Sequence, residues 1–312
     1  MARRLLRLLG PLLFLLILAR IDLGRTIQML GAVRLPLLAV ALSLYPVLIL
    51  LKAWRWRLLL RQQGANYTLR SAFLAYNSGL AIGYITPGRL GEFAKALYLR
   101  NDLGLATGLA FSSVMLERLL DLYALLITAL AGIALFTMPQ PLLLVAVPVL
   151  ALVGLAPLVI LIPGISRRLV HLLGRAATFF APVRYRGDVV DSFSGFQSGI
   201  EQLLNLRLLL PLTLTVISYV LFYGQCYVLA RSLELPIAYG FAAFCVSLGS
   251  LMALLPISIS GLGVRDLTFV IVLGTVGLSS EIAISYSLLF LVVFNVFGGL
   301  IGALAWLVKP LQ

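Results

Sequence analysis

The chain has 312 residues, of which 62% are hydrophobic and only 11% carry a charge. Soluble globular domains are nearer half apolar and a quarter charged, so this composition excludes that class and indicates an integral membrane protein. The net charge of +13 is carried in short clusters between apolar runs, which is typical of membrane topology signals and predicts no nucleic-acid partner. One histidine and two cysteines offer neither a Cys/His metal site nor a disulfide framework, so we expect no metal and no cofactor.

Continuous apolar runs predict the membrane spans, because a helix needs about 20 residues to cross a hydrocarbon core about 30 Å thick. In chain order, the runs that meet or approach this length are Leu5–Ala19, Leu35–Leu51, Leu119–Thr137, Leu142–Ile162, Leu208–Ala230 and Ile282–Val308. The first run resembles a secretory signal, but it ends without a small-x-small cleavage site, which favours a retained anchor. With two interrupted segments added, the sequence predicts an all-α polytopic membrane protein of about six to eight transmembrane helices. It is expected to form a single domain over residues 1–312.

The positions of lysine and arginine predict the orientation of the chain. Cations cluster before the first run, after the second run from Lys52 onward, in the polar stretch 163–207, and after the last run. If the spans alternate, all four groups lie on one side. The sequence therefore predicts a multi-pass protein of the cytoplasmic (inner) membrane, with both termini and the basic loop 163–207 in the cytoplasm. Trp54 and Trp56 flank Arg55 and are interpreted as an interfacial helix at headgroup level.

Two segments, Ser71–Arg100 and Tyr239–Leu278, do not have the pattern of plain spans. Proline and glycine interrupt both of them, at Pro87, Gly88, Gly91, Pro256, Gly261 and Gly263. In lipid, a broken helix is tolerated only where protein buries it or a water-lined cavity reaches it. One interrupted segment in each half is typical of transporters built from pseudo-repeats, and it predicts two broken or re-entrant segments. Two ordinary proline-kinked spans are the alternative.

The first polar motif runs from Thr86 to Lys95. Thr86 is a suitable N-cap and Pro87 a suitable first helical residue, so we expect a helix to start there. Its open N–H groups, with Arg89 alongside, would suit a phosphate. Glu92 and Lys95 are three residues apart on one helix face and are expected to pair. The alternative is an interfacial helix start whose charges reach the headgroups.

The second motif places Glu117, Arg118 and Asp121 within a long apolar stretch. Glu117 and Asp121 are four residues apart and share a helix face, while Arg118 can reach Asp121. A charge near the bilayer centre costs about 2.5–3.5 kcal/mol on insertion scales, so three charges persist there only if they face a polar cavity or pair with other charges. Arg89 and Lys95 are the expected partners. A solvated helix start at the cytoplasmic interface is the alternative.

The third motif, Arg265 and Asp266, follows the broken stretch Pro256–Gly263. It repeats the order of the first motif: proline, then glycine, then an arginine near an acid. We therefore expect a charge couple at depth in the membrane, with Ser258 and Ser260 capping the break.

Together, the three motifs resemble the lysylphosphatidylglycerol synthase transmembrane-region family, also called flippase-like or UPF0104 proteins. The resemblance covers nearly the whole chain, and it implies movement of lipids across the bilayer, best established in that family for lysyl-phosphatidylglycerol. By that resemblance, the candidate substrate-binding residues are Arg89, Glu92, Lys95, Glu117, Arg118, Asp121, Arg265 and Asp266. The chain stops soon after its last apolar run, so the soluble aminoacyl-transferase domain of the two-domain synthases, and lysyl-phosphatidylglycerol synthesis, are not expected of it.

These features make a lipid flippase or lipid-transport permease the leading hypothesis. Its expected partners are membrane lipids with an anionic or phosphate-bearing headgroup, and a lipid-synthesising enzyme or a second copy of the chain remain further candidates. No catalytic motif and no soluble catalytic domain are recognised, which favours a protein that is not an enzyme. Two alternatives stay open: a membrane glycosyltransferase acting on polyprenyl phosphate, and a non-transporting partner of a lipid-modifying enzyme.

Overall fold

The computed structural model describes residues 14–17, 19, 21–86, 88–161, 172, 186–255, 258 and 260–311. Every regular element within these residues is a helix, as the composition predicts. Most of the first predicted span, part of the basic loop 163–207, and the two break prolines, Pro87 and Pro256, lie outside the described residues.

Twelve helices of the described chain are labelled here in chain order, with shorter turns between them. They are α1 (Leu23–Gly31), α2 (Leu35–Gln62), α3 (Leu69–Tyr84), a 3₁₀ turn (Leu90–Ala94), α4 (Lys95–Leu103), α5 (Thr107–Leu135), α6 (Gln140–Leu161), α7 (Arg186–Leu203), a second 3₁₀ turn (Leu206–Leu208), α8 (Leu209–Ser232), α9 (Tyr239–Met252), α10 (Val264–Gly274), α11 (Ser280–Phe290), a π-helix (Leu291–Phe297) and α12 (Gly298–Val308).

Four helical stretches of the described chain are long and apolar enough to cross a membrane: Leu35–Gln62, Thr107–Leu135, Leu206–Ser232 and Ser280–Val308. The last stretch consists of α11, the π-helix and α12, which follow one another as one continuous helix. The helices α6 and α9 are apolar but shorter. A multi-pass membrane protein is thus confirmed, and the total of six to eight spans stays a prediction.

Helix α2 continues well past the apolar run that predicted it. The predicted interfacial helix at Trp54 and Trp56 is wrong, because both residues belong to this one long helix. Trp56 is fully buried, and its indole nitrogen donates to Ser113 Oγ on α5 at 3.3 Å. The physical reason is that Lys52 and Arg55 point towards carboxylates on α5, so these two charged residues of α2 are packed inside the protein.

The spans associate by close backbone contact. Helix α2 packs along α8, α3 packs along α12, and α5 packs against both α7 and α9. The contact between α5 and α7 is especially close, because a Cβ added at Gly108 would overlap the carbonyl oxygen of Ser192. Small residues at such contacts are typical of membrane helices, where lipid supplies no hydrophobic force between them.

Contacts near the ends of the helices show which loops lie on the same side of the protein. At the end of α2, Gln62 Nε2 donates to the carbonyl oxygen of Arg207 at 2.9 Å, and Lys309 donates to a hydroxyl in the α2–α3 link. At the opposite end of α2, Arg34 pairs with Glu234. The basic groups after α2, before α8 and after α12 therefore lie on one side, as charge counting predicts. That this side is cytoplasmic stays a prediction.

The end of α12 is tied to α4 and to the α2–α3 link. Lys309 Nζ lies 3.1 Å from the hydroxyl of Tyr67, which itself donates to the carboxylate of Asp102. The hydroxyl of Tyr98 donates to the carbonyl oxygen of Lys309 at 3.0 Å. Burial, and then the bond to Asp102, raise the pKa of Tyr67, so its hydroxyl stays protonated and acts as a donor.

Two breaks interrupt the chain where the sequence predicts them, one between α3 and α4 and the other between α9 and α10. The longest of these four helices has 16 residues, about 24 Å, which is shorter than the hydrocarbon core. Each break contains two consecutive residues with left-handed backbone: Gly88 and Arg89 in the first, Ser260 and Gly261 in the second. The two halves of the chain thus use the same kind of interruption.

Candidate functional site

A buried ion-pair cluster joins α2, α4 and α5. Glu117 and Asp121 lie one turn apart on α5, on the shared face that their spacing predicts. The guanidinium of Arg55 lies between them, with Nη2 2.6 Å from Glu117 Oε1 and Nη1 2.8 Å from Asp121 Oδ1. Lys52 Nζ lies 2.9 Å from Asp121 Oδ2, and Lys95 Nζ lies 2.6 Å from Glu117 Oε2. We call these five residues the α2–α5 cluster.

A second cluster lies at the first break. The carboxylate of Glu92, which is fully buried, accepts a hydrogen bond from Arg118 Nη1. Its other oxygen lies 3.9 Å from Arg89 Nη1, a much looser contact. The Arg89 guanidinium also lies 5.2 Å from the centre of the Tyr84 ring, which is cation–π distance. We call Glu92, Arg89 and Arg118 the break cluster.

Two pairings that local spacing predicts are wrong. Glu92 does not bind Lys95, and Arg118 does not bind Asp121. Glu92 instead binds Arg118, and Lys95 binds Glu117 as one of the expected interhelical pairs. Spacing of three or four residues shows only that two side chains can meet. Here the packing of α4 and the first break against α5 gives each group a closer partner on another element.

The predicted helix start at the first break is also displaced. Regular helical structure begins with the 3₁₀ turn at Leu90, three residues later than expected. Thr86 Oγ accepts a hydrogen bond from the backbone N–H of Gly91 at 2.8 Å. The N–H groups of Arg89 and Glu92 are bonded to backbone carbonyls within the turn. These N–H groups are therefore occupied, and an anion at this break would meet the cationic side chains instead.

The charge couple predicted at the second break is confirmed. Arg265 Nη2 lies 3.0 Å from Asp266 Oδ1, and both side chains are almost completely buried. Asp266 also accepts from the N–H of Gly263 at 2.7 Å and from the hydroxyl of Ser287. It therefore caps α10 in place of the serines that the sequence suggests. The Arg265 guanidinium lies 5.0 Å from the centre of the Phe290 ring.

A cavity of about 470 Å³ lies between these groups. Its charged lining in the described chain consists of four cations and one carboxylate, namely Lys52, Arg89, Arg118, Arg265 and Asp121. The rest of the wall is mainly tyrosine, phenylalanine and aliphatic side chains from α2, α3, α5, α6, α8, α11, the π-helix and both breaks. The cavity is thus apolar over most of its surface, and its charged lining is mainly cationic.

The exposure of the cations separates them into two groups. Arg55 and Lys95 have no exposed side-chain surface. The exposed fraction of the side chain is 32% for Arg89, 19% for Arg118 and 14% for Lys52. The exposed three all line the cavity. Arg55 and Lys95 therefore hold carboxylates in place, and the other three offer charge to an occupant.

The structure brings all eight candidate residues to the cavity wall or directly behind it. Sequence reasoning missed Lys52 and Arg55, which it assigned to the membrane surface. One signal could have found them: they are three residues apart on one helix face and directly extend an apolar span. Across the described chain, no group of three or more His, Cys, Asp or Glu side chains is placed to hold a metal ion.

Comparison with known proteins gives the same identification as the motifs. The family described as "Lysylphosphatidylglycerol synthase TM region" matches residues 6–302. A UPF0104 membrane protein of Methanocaldococcus jannaschii is 24% identical over 312 residues, which is 95% of this chain and 92% of that protein. No solved structure matches the chain. The family match covers nearly the whole chain, and the chain therefore belongs to the lysylphosphatidylglycerol synthase transmembrane-region family.

Proposed function

We propose that this protein is a lipid flippase or lipid-transport permease. It moves a lipid with a charged or phosphate-bearing headgroup across the cytoplasmic membrane, and it is a transporter rather than an enzyme. One observation carries the proposal: a cavity with a mostly apolar wall lies among the apolar helices and has Lys52, Arg89, Arg118 and Arg265 on its surface. Membership of a lipid-related membrane family supports it.

The cavity suits the two chemical halves of a lipid. A charged headgroup crosses hydrocarbon slowly because its hydration is lost, and fixed cations can replace that hydration. In this proposal, Arg89 and Arg118 hold the headgroup phosphate, with Lys52 beside them. The acyl chain lies against the apolar wall, which includes Leu122 and Phe294. In the empty state, Glu92 balances one of the two arginine charges, and in this proposal the phosphate supplies the missing counter-charge.

The two interrupted segments are the proposed moving parts. In this proposal, α3–α4 and α9–α10 are re-entrant segments, and alternating access results when they exchange exposure to the two sides. The breaks already face each other, because a Cβ added at Gly88 would lie 3.3 Å from the carbonyl oxygen of Leu254. Separation of this contact would open the cavity. The sequence has no GxxxxGK[ST] motif, so an ion gradient, the membrane potential or downhill flow supplies the driving force.

The test is lipid translocation in proteoliposomes. Purified protein is reconstituted with phosphatidic acid or phosphatidylglycerol that carries a fluorescent acyl chain, and dithionite reports the fraction in the outer leaflet. We expect translocation of at least one of these lipids with the native protein. Arg89→Ala and Glu92→Ala should stop it, whereas Arg34→Ala, an exposed arginine outside the cavity, should not. Unchanged transport in both cavity variants would remove this site from the mechanism.

A second assay separates transport from catalysis. The purified protein is incubated with a radiolabelled nucleotide sugar and polyprenyl phosphate, and the lipid phase is examined for a glycosylated product. We expect none. Product formation that depends on Arg89 would favour the membrane glycosyltransferase over the transporter.

A further inference from the structure

The ion pairs around the cavity do not balance. The α2–α5 cluster has three cations, Lys52, Arg55 and Lys95, against the two carboxylates of Glu117 and Asp121. Each carboxylate is already in contact with two cations. The cluster therefore carries one positive charge in excess.

The break cluster has the same excess. Arg89 and Arg118 share the single carboxylate of Glu92, which is close to Arg118 and only loosely placed against Arg89. The third group, Arg265 with Asp266, is balanced. Among the residues that the structure describes, the cavity wall and the groups behind it thus hold six cations and four carboxylates, so two of these positive charges have no carboxylate partner there.

Both excess charges can reach the cavity. Lys52 lines it from the α2–α5 cluster, and Arg89 and Arg118 line it from the break cluster. The remaining cations, Arg55 and Lys95, have no exposed side-chain surface and lie behind the residues that line the cavity. An occupant therefore meets one surplus charge from each cluster, presented by three side chains.

We propose that the transported lipid has a phosphomonoester headgroup with two negative charges. This rests on the proposed function and names the substrate class for the same site. A phosphomonoester carries close to two negative charges above its second ionisation and has three terminal oxygen acceptors. Two charges match the excess of the cavity, and three oxygens match Lys52, Arg89 and Arg118.

Other headgroups leave the cavity unbalanced. A phosphodiester lipid carries one negative charge and leaves one positive charge of the cavity without a partner. A zwitterionic lipid leaves two, and a cationic lipid adds to the excess. An uncompensated charge is unfavourable where water is scarce, so the order of affinity should follow the headgroup charge.

The binding test compares lipids that differ in charge and little else. Native protein in neutral detergent at pH 8 binds phosphatidic acid with a fluorescent acyl chain, followed by anisotropy, because the second ionisation, with a pKa of about 6, is then complete. Unlabelled phosphatidic acid, phosphatidylmethanol and phosphatidylcholine compete at equal mole fraction. Compared with phosphatidic acid, phosphatidylmethanol has one additional methyl group and one negative charge fewer. We expect phosphatidic acid to compete about tenfold better than phosphatidylmethanol, and equal competition would overturn the proposal.

Inorganic phosphate forms a separate arm of the same experiment. It has the same headgroup chemistry but no acyl chain, so it should compete at least a hundredfold less well than phosphatidic acid. Equal competition would show a site for free phosphate and would overturn the lipid assignment.

A charge variant tests the origin of the preference. Arg89→Gln removes one surplus charge at a partly exposed residue, and the advantage of phosphatidic acid over phosphatidylmethanol should fall to threefold or less. Arg34→Gln makes the same change in net charge outside the cavity and should keep the tenfold preference. A preference that survives Arg89→Gln would contradict the charge-matching argument.

The binding and translocation assays give different results if this proposal fails and if the proposed function fails. If binding shows the charge preference but dithionite detects no translocation, the site is selective and the protein is not a flippase. If both phosphatidic acid and phosphatidylglycerol are moved at equal rates, the flippase stands and the phosphomonoester preference does not.

Discussion

Nη2 of Arg55 lies 2.6 Å from Oε1 of Glu117, and neither side chain has any exposed surface. Moving either charge alone into a low-dielectric interior costs several kcal/mol. The two are tolerated because each has a second partner as well, Asp121 for the arginine and Lys95 for the glutamate. Their contact joins the first and second long spans and explains why α2 can carry charge inside the protein.

Removal of one member of this pair should destabilise the fold strongly. Glu117→Gln leaves Arg55 and Lys95 with less counter-charge in a buried place, so we expect a loss of about 3–5 kcal/mol in the free energy of unfolding. The apparent melting temperature of the purified protein in detergent measures this. Glu234→Gln breaks an exposed ion pair and should change stability by at most about 1 kcal/mol. Equal melting temperatures for the two variants would contradict the prediction.

The contact between α5 and α7 should not tolerate even one methyl group. Gly108→Ala places a Cβ against the Ser192 carbonyl, so α7 must shift, at a cost of about 1–3 kcal/mol. Gly224→Ala on α8 is the matched control, because nothing lies within 4 Å of the added Cβ. Proteolysis of α7 in the folded protein should accelerate for the first variant and not for the second. Equal rates in both variants would show that α7 does not depend on this contact.

The second break should depend on one bond from the π-helix. The side-chain amide of Asn295 donates to Ser260 Oγ, and Ser260 has left-handed backbone geometry. Asn295→Ala removes a bond worth about 0.5–1.5 kcal/mol, so lipid translocation should slow by about 2–10-fold while expression is unchanged. Val292→Ala, at a half-exposed position of the same π-helix, serves as the control. Native rates in the Asn295 variant would show that this bond has no part in transport.

The sidedness of the chain can be measured with cysteine labelling. The native Cys226 and Cys245 are fully buried, so a membrane-impermeant maleimide should not react with them in intact cells. A cysteine at Glu234 should be labelled from outside the cell, because that end of α8 is on the predicted external side. A cysteine at Arg207 should react only after the membrane is permeabilised. The reverse pattern would show that the predicted orientation is inverted.

Much of the fold could be predicted because the relevant signals are local. Apolar runs give the spans, since lipid accepts only long apolar stretches with satisfied backbone groups. Glycines predict the two breaks, and Gly88 and Gly261 have the left-handed backbone that glycine permits. The charge couple Arg265–Asp266 is also local, because its members are adjacent in the chain.

The ion-pair partners could not be predicted in the same way. Lys52 and Arg55 have the sequence pattern of a membrane-surface cluster, and only contact with α5 shows that they are internal. Glu92 and Lys95 have a local spacing that suits a pair, yet each has a closer partner on α5. Local spacing defines what can meet, and it does not rank competing partners on different helices.

The sequence alone determined that this is a helical membrane protein, where its chain is interrupted, and which three polar motifs carry charge within apolar segments. These properties depend on windows of about 20 residues in contact with lipid. Only the tertiary structure decided which charges meet and that cations remain in excess around one cavity. Arg55 and Glu117 are 62 residues apart, and their contact depends on which faces of two helices pack together. No local window contains that information, because it belongs to the arrangement of the whole bundle.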